Sequence, residues 1–206
     1  MRGVLVREMT LADCDRVAEI RVRGWRTAYR GLMPSSYLDA LSVAEDAARR
    51  RARFRQGGGT VVNLVAEQAG EVVGWACHGP YRDGEVLATD VELYAIYVDP
   101  DRTGSGVGRA LLRASAERCA AAGYERMLLW VLKENSAARG FYEHAGFGPD
   151  GAEEPFEAGG VEVPEVRYAG ALTGLPAPVP SRTGTDAGAP ADADAVTGVP
   201  PEGSAV

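Results

Sequence analysis

The sequence predicts a mixed α/β domain built on one central sheet, and three observations carry the prediction. Short β-rich runs alternate with stretches of helical periodicity along most of the chain. Two of the runs flank a tight turn at Ala69-Gly70 and so pair antiparallel, whereas residues 88–132 read as strand, helix, strand, which demands a parallel crossover. The 206 residues are 46% hydrophobic, enough for one full core. The expected architecture is therefore a mixed, mostly antiparallel sheet with a parallel β-α-β crossover and helices on both faces.

The elements follow in order. "GVLVRE" is a short strand, and Thr10 with Asp13 then marks a helix start. Leu11, Cys14, Ala18, Val22, Trp25 and Tyr29, at steps of three or four, give that helix one apolar face. Gly31 and Pro34 break it. "SSYLDALS" and "VAEDAARRRARFRQ" form a second helical region closed by the glycines at 57–59, and its basic run, "ARRRARFR", reads as a solvated face. "TVVNLVAEQAGEVVGWACHG" is the hairpin. "ATDVELYAIYVDP" is a third strand ending at Pro100, and "GRALLRASAERCAAAG" is a helix stopped by Gly123. "RMLLWVL" is almost continuously apolar, as a strand covered on both faces should be. A short helix, "NSAARGFYEHAG", and a final strand, "GVEVPEVRYAG", complete the domain over residues 1–171. Residues 172–206 carry half of the prolines and lack aromatic residues and periodicity, so they are expected to form a disordered tail that holds −3 of the net charge of −7.

Composition excludes several functions. An acidic chain lacks the dense Lys/Arg that binding to a nucleic-acid backbone requires. No run approaches the roughly 18 uncharged apolar residues of a membrane span, and "MRGVLVREMT" meets Arg7 and Glu8 too early for a secretory signal. A soluble cytoplasmic protein with no membrane or nucleic-acid partner is expected. Cys14, Cys77 and Cys119 are odd in number and lack C-x-x-C spacing, so they read as buried thiols. His78 and His144 have no ligand-like company, and no metal is expected.

One segment carries chemistry. "VDPDRTGSGVGRALL", residues 98–112, sets glycines at 104, 106 and 108 between a strand and the start of a helix. Glycine backbone can approach a ligand closely there, and the N–H groups of the first helical turn point one way with the positive end of the helix dipole behind them. Such a cup suits a phosphate. A Walker loop would need Lys after its last glycine, but Arg109 and Ala110 follow Gly108. The dinucleotide spacing lands on Arg109 or Leu111 where glycine or alanine is required.

The loop resembles the pyrophosphate loop of the GNAT superfamily of acyl-CoA-dependent N-acetyltransferases, Gln/Arg-x-x-Gly-x-Gly/Ala: "TGSGVG" matches at Gly106 and Gly108, with Thr103 at the Gln/Arg place. "NSAARGFYEHAGF" resembles the family's second motif at Asn135, Ala138, Phe141, Tyr142, Gly146 and Phe147, one helix and one strand further on. "GWRTAYRGLMPSSYLDAL" is similar to the first two helices of many small-molecule members, and the resemblance covers about residues 3–170.

The resemblance implies the GNAT fold, acetyl-CoA as co-substrate and direct transfer of acetyl to a primary amine, most simply of a small molecule. A peptide or protein acceptor, or a non-catalytic CoA-binding module, stays open, and family members are often dimers. It implies that Thr103, Gly104, Ser105, Gly106, Val107, Gly108 and Arg109 cradle the pyrophosphate. It implies too that the pantetheine pairs with the strand at Ile96, Tyr97 and Val98, and that Asn135 touches the cofactor. Asn135 also suits a helix cap. Tyr142 is either a packed core aromatic or, as in the family, the acid that protonates the leaving thiolate. Glu92, which regular alternation would put on one face with Asp90, Tyr94 and Ile96, is either a solvated strand end or the base that deprotonates the amine. Trp25 and Tyr29 read as core, although helices here flank the acceptor cleft in the family.

Overall fold

The computed structural model of the chain describes residues 3–56, 59–82 and 88–172; the predicted tail beyond 172 and the closing glycines 57 and 58 lie outside the described residues. β1 (Leu5–Glu8) leads through a 3-10 turn into α1 (Cys14–Ala28). The turn forms because the Asp13 carboxylate accepts from both the Thr10 N–H, 2.7 Å, and the Thr10 hydroxyl, 2.8 Å, while Arg7 grips it with two nitrogens. The expected stripe is buried at Cys14, Ala18, Val22, Trp25 and Tyr29. Leu11, in the turn before the helix proper, is instead 40% exposed, because the stripe begins only where the α-helical period does.

α2 (Ser35–Ala40) and α3 (Val43–Gln56) follow. The basic run of α3 is not wholly solvated: Arg50 lies 4.1 Å over the Trp75 ring and donates from Nε to Asp46, 2.6 Å. Asp46 is buried and also accepts from the buried Arg21 of α1, 2.9 Å. This shared carboxylate, with Arg50 stacked on an aromatic face, lets α3 pack against α1 despite its charge.

β2 (Val62–Gln68) and β3 (Glu71–Pro80) form the predicted hairpin about Ala69-Gly70. β4 (Asp90–Val98), α4 (Val107–Ala121) and β5 (Arg126–Leu132) form the crossover, and β4 pairs with β5 in parallel. α5 (Ser136–His144) is followed by two strands, β6 (Gly148–Ala158) and β7 (Val161–Ala171). Sequence reading found only the second. "GPDGAEEPFEA" is poor in β-formers and mostly exposed, so its strand exists through pairing with β7 at the sheet edge, where proline and charge are tolerated.

The seven strands lie in the order β1-β2-β3-β4-β5-β7-β6, all antiparallel neighbours except β4 and β5. One face packs against α4 and α5 through Val98, Leu111, Leu129, Ala138, Tyr142 and Tyr168. The other packs against α1 and α2 through Trp25, Tyr29, Leu38, Tyr97 and Val163. The core does not stop at residue 171, since Leu172 is buried and its N–H donates to the Glu125 carbonyl, 2.8 Å.

Candidate active site

Parallel pairing of β4 with β5 is confined to Asp90–Arg126, Val91–Met127 and Glu92–Leu128. A fork of hydrogen bonds pins this end: Arg126 donates to the two Asp90 carboxylate oxygens at 3.0 and 2.6 Å. Past Glu92, β4 continues to Val98 paired with β3 and β5 continues to Leu132 paired with β7, so a wedge opens between them.

β4 also carries a bulge. Leu93 faces His78 and Ala95 faces Cys77, which leaves Tyr94 as the extra residue. Glu92 and Tyr94 therefore share the α1 face with Ala95 and Tyr97, whereas Ile96 and Val98 belong to the α4 face with Val91 and Leu93. The regular alternation expected from sequence is corrected here: Ile96 does not lie with Glu92. Glu92 is buried, 2% exposed, and held by Arg82, which donates to one oxygen from Nη2 at 2.5 Å and to the other from Nε and the backbone N–H at 3.3 Å each. It is not a solvated strand end. Arg82 in turn lies 4.2 Å over the Tyr94 ring.

The glycine loop sits at the mouth of the wedge. Gly106 is the N-cap of α4 with φ +81°, a conformation that side chains rarely adopt, and the first helical bond runs from the Ala110 N–H to the Gly106 carbonyl, 3.0 Å. The N–H groups of Val107 and Gly108 consequently have no acceptor within the helix. The loop's hydroxyls fold back on it, Thr103 donating to the Pro100 carbonyl and Ser105 to that of Arg102, so backbone and not side chain forms its outer rim. Thr103, Gly104, Ser105, Gly106 and Arg109 are exposed; Val107 and Gly108 are buried beneath them.

Asp99 anchors this loop to the sheet. Its N–H donates to the Val73 carbonyl, 2.8 Å, and its carboxylate accepts from Arg16, from Arg23, 3.0 Å, and from the Asp101 N–H, 3.1 Å. Burial pushes the carboxyl up, but the Asp101 N–H and the two guanidinium groups outweigh it and hold it below the usual range. Asp99→Asn is expected to weaken CoA binding three- to tenfold in calorimetry, with kcat changed less than twofold, because a loosened loop costs about 1 kcal/mol of order; undiminished affinity would show that the latch does not position the loop.

α5 brings the second motif to the wedge. Asn135 caps it, Oδ1 accepting from the Ala138 N–H at 3.1 Å, while Nδ2 is buried without a partner. One side chain thus caps a helix and keeps a donor in reserve. Tyr142 is fully buried, its ring set edge-on to Phe141 at 5.1 Å and Phe147 at 6.0 Å. Across the sheet, Trp25 Nε1 donates to the Tyr97 hydroxyl, 2.7 Å, and that hydroxyl bonds to Tyr29. Burial pushes the Tyr97 phenol up to about 12. Its side chain belongs to the core and, because the Asp99 N–H two residues on donates to the Val73 carbonyl, its backbone groups face β3, which leaves those of Ile96 and Val98 toward the wedge. Burial first, then Tyr97, Glu165 and Tyr142, push the Tyr29 phenol well up. Tyr29 and Tyr142 belong to opposite faces of the sheet.

Two residues of this region escaped the sequence reading. Arg82 follows β3 and holds Glu92. Glu165 of β7 is 5% exposed, with Oε1 buried and unpartnered. Burial, then Glu154, push its carboxyl up to about 8. Reading "GVEVPEVRYAG" as a strand did not single it out, because its depth comes from the packing of β7 between β5 and β6.

The family model of the GNAT acetyltransferases matches residues 22–147, from α1 through the glycine loop to Phe147. The chain belongs to the GNAT family. This GNAT protein is 37% identical over 164 residues to the uncharacterized N-acetyltransferase YuaI of Bacillus subtilis, covering 79% of this chain and 90% of that one. It is 36% identical over 104 residues to the L-methionine sulfoximine/L-methionine sulfone acetyltransferase of Pseudomonas aeruginosa, 50% of this chain and 60% of that protein. The PaiA N-acetyltransferase of Thermoplasma acidophilum in complex with coenzyme A shares the fold, with a TM-score of 0.64 at 18% identity over 82% of this chain and 99% of that one. The GNAT fold expected from the two motifs is the fold observed, and the chain is an acyltransferase of the N-acetyltransferase kind.

Proposed function

We propose that the protein transfers the acetyl group of acetyl-CoA to a primary amine of a small molecule, both substrates being held together in the wedge. The observation that carries this reading is the glycine-capped start of α4 at the mouth of the β4–β5 opening, where outward backbone amides and the strand edges of β4 and β5 converge. The residues suit the cofactor. Gly104, Gly106 and the amides of Val107 and Gly108 offer an anion cup to a pyrophosphate, and the unpartnered Nδ2 of Asn135 offers a buried donor further along. The edge of β4 at Ile96 and Val98, on either side of Tyr97, offers strand-like partners to a pantetheine arm.

Acetyl-CoA supplies an activated thioester when bound. Tyr142, on the helix that follows the end of β5, gives its proton to the departing sulfur. Backbone near the β4 bulge orients the carbonyl, and holding both reactants in one groove supplies much of the rate. A small-molecule acceptor is supported by the Pseudomonas relative, whose name states an amino-acid analogue as its substrate.

Thiol release from acetyl-CoA, followed with L-methionine sulfoximine, other amino acids, polyamines, aminoglycosides and an N-terminal alanine peptide, tests the proposal. Release with a small amine supports it. Release with the peptide alone moves the acceptor class, and no binding of acetyl-CoA in calorimetry removes the reading.

A further inference from the structure

β7 alternates across the sheet: Val166 and Tyr168 pack toward α4 and α5, so Glu165 shares with Val163 the face of α1. In register it stands opposite Leu132, where β5 ends and β4 has already diverged, and opposite Glu154 of β6. Charged and titratable groups reach it from each neighbouring element: Glu154 from β6, Glu92 from β4, Arg82 after β3, and the phenols of Tyr29 from α1 and Tyr97 from β4.

A buried carboxyl oxygen without a partner calls for an explanation. An unpaired carboxylate is unfavourable in such surroundings, so the group favours either a proton or an incoming cation. A primary ammonium brings both. Glu92 is differently placed, because Arg82 already occupies both of its oxygens.

We propose that Glu165 is the residue that receives the acceptor's ammonium and takes its proton, an assignment that rests on the acetyl-transfer reading above. The step balances as follows. The N–H bond of R-NH3+ breaks, its proton goes to the Glu165 carboxylate, and the freed lone pair forms the C–N bond at the thioester carbonyl. The C–S bond breaks, the sulfur takes the Tyr142 proton, and the second nitrogen proton returns to the Tyr142 oxygen. The carboxyl, which burial and then Glu154 hold up to about 8, hands its proton to solvent between turnovers.

With an amine that reacts, Glu165→Gln is expected to lower kcat/KM at pH 8 by roughly 10²-fold and to erase the rise of kcat/KM with pH through about 8, the window in which the wild-type carboxyl deprotonates. Acetyl-CoA affinity and melting temperature should stay near wild type. A wild-type profile in Glu165→Gln, or loss of that limb in Glu92→Gln alone, overturns the proposal. A second arm needs no turnover: NMR of protein carrying 13C at its glutamate carboxyls, bound to CoA and titrated with methylamine. The resonance missing from Glu165→Gln should move downfield, to the carboxylate position, as methylamine is added at pH 7. A resonance that ignores methylamine overturns the proposal even in an enzyme whose acetyl transfer is intact, whereas a wild-type protein that does not bind acetyl-CoA removes both readings together.

Discussion

Tyr142→Phe is expected to lower kcat by roughly 10²-fold while leaving the Kd for acetyl-CoA within about twofold, the signature of a lost proton donor with intact binding. The substitution keeps the ring that packs edge-on against Phe141 and Phe147, so the fold should survive it. Only the hydroxyl disappears. Single-turnover thiol release, read beside calorimetry of acetyl-CoA, separates the two effects. Undiminished turnover would return Tyr142 to a purely packing role, which its complete burial also permits.

Gly74→Val should damage the cofactor site from beneath α4. A Cβ on Gly74 would stand 2.8 Å from Val107 Cγ1, 2.9 Å from Leu111 Cδ1 and 3.2 Å from the Tyr97 carbonyl. The first two atoms belong to the opening turns of α4 and the third to β4, so the helix start must lift away from the strand edge. Overpacking of this kind costs about 1–3 kcal/mol. We expect a lower melting temperature and a Kd for CoA raised about tenfold or more, with Gly74→Ala intermediate in both. A lower melting temperature at unchanged Kd would show that the seating of α4 on β3 does not set the cofactor site.

Legibility in the sequence followed the range of the interactions concerned. The stripe of α1, the Ala69-Gly70 hairpin, the apolar β5 and the Asn135 cap rest on residues a few positions apart, and each is present. β6 was invisible because its own residues disfavour a strand and only its ladder with β7 makes one. The bulge at Tyr94 displaced Ile96 from the face of Glu92 for a similar reason, since it is written in the register with β3. The charge on Arg50 suggested water, but a neighbouring carboxylate and the Trp75 ring hold it in place.

By itself, the sequence determined the order of the elements, the glycine loop before α4 and the Asn135-to-Phe147 segment, and thereby the class of chemistry, because caps, turns and periodicity act between near neighbours along the chain. Tertiary structure alone decided how far β4 and β5 stay paired, which carboxylate Arg82 takes, and that Glu165 is left with an open oxygen deep beside the wedge. Those outcomes depend on residues tens of positions apart, Asp90 with Arg126 among them, and burial and charge are settled only when such partners meet.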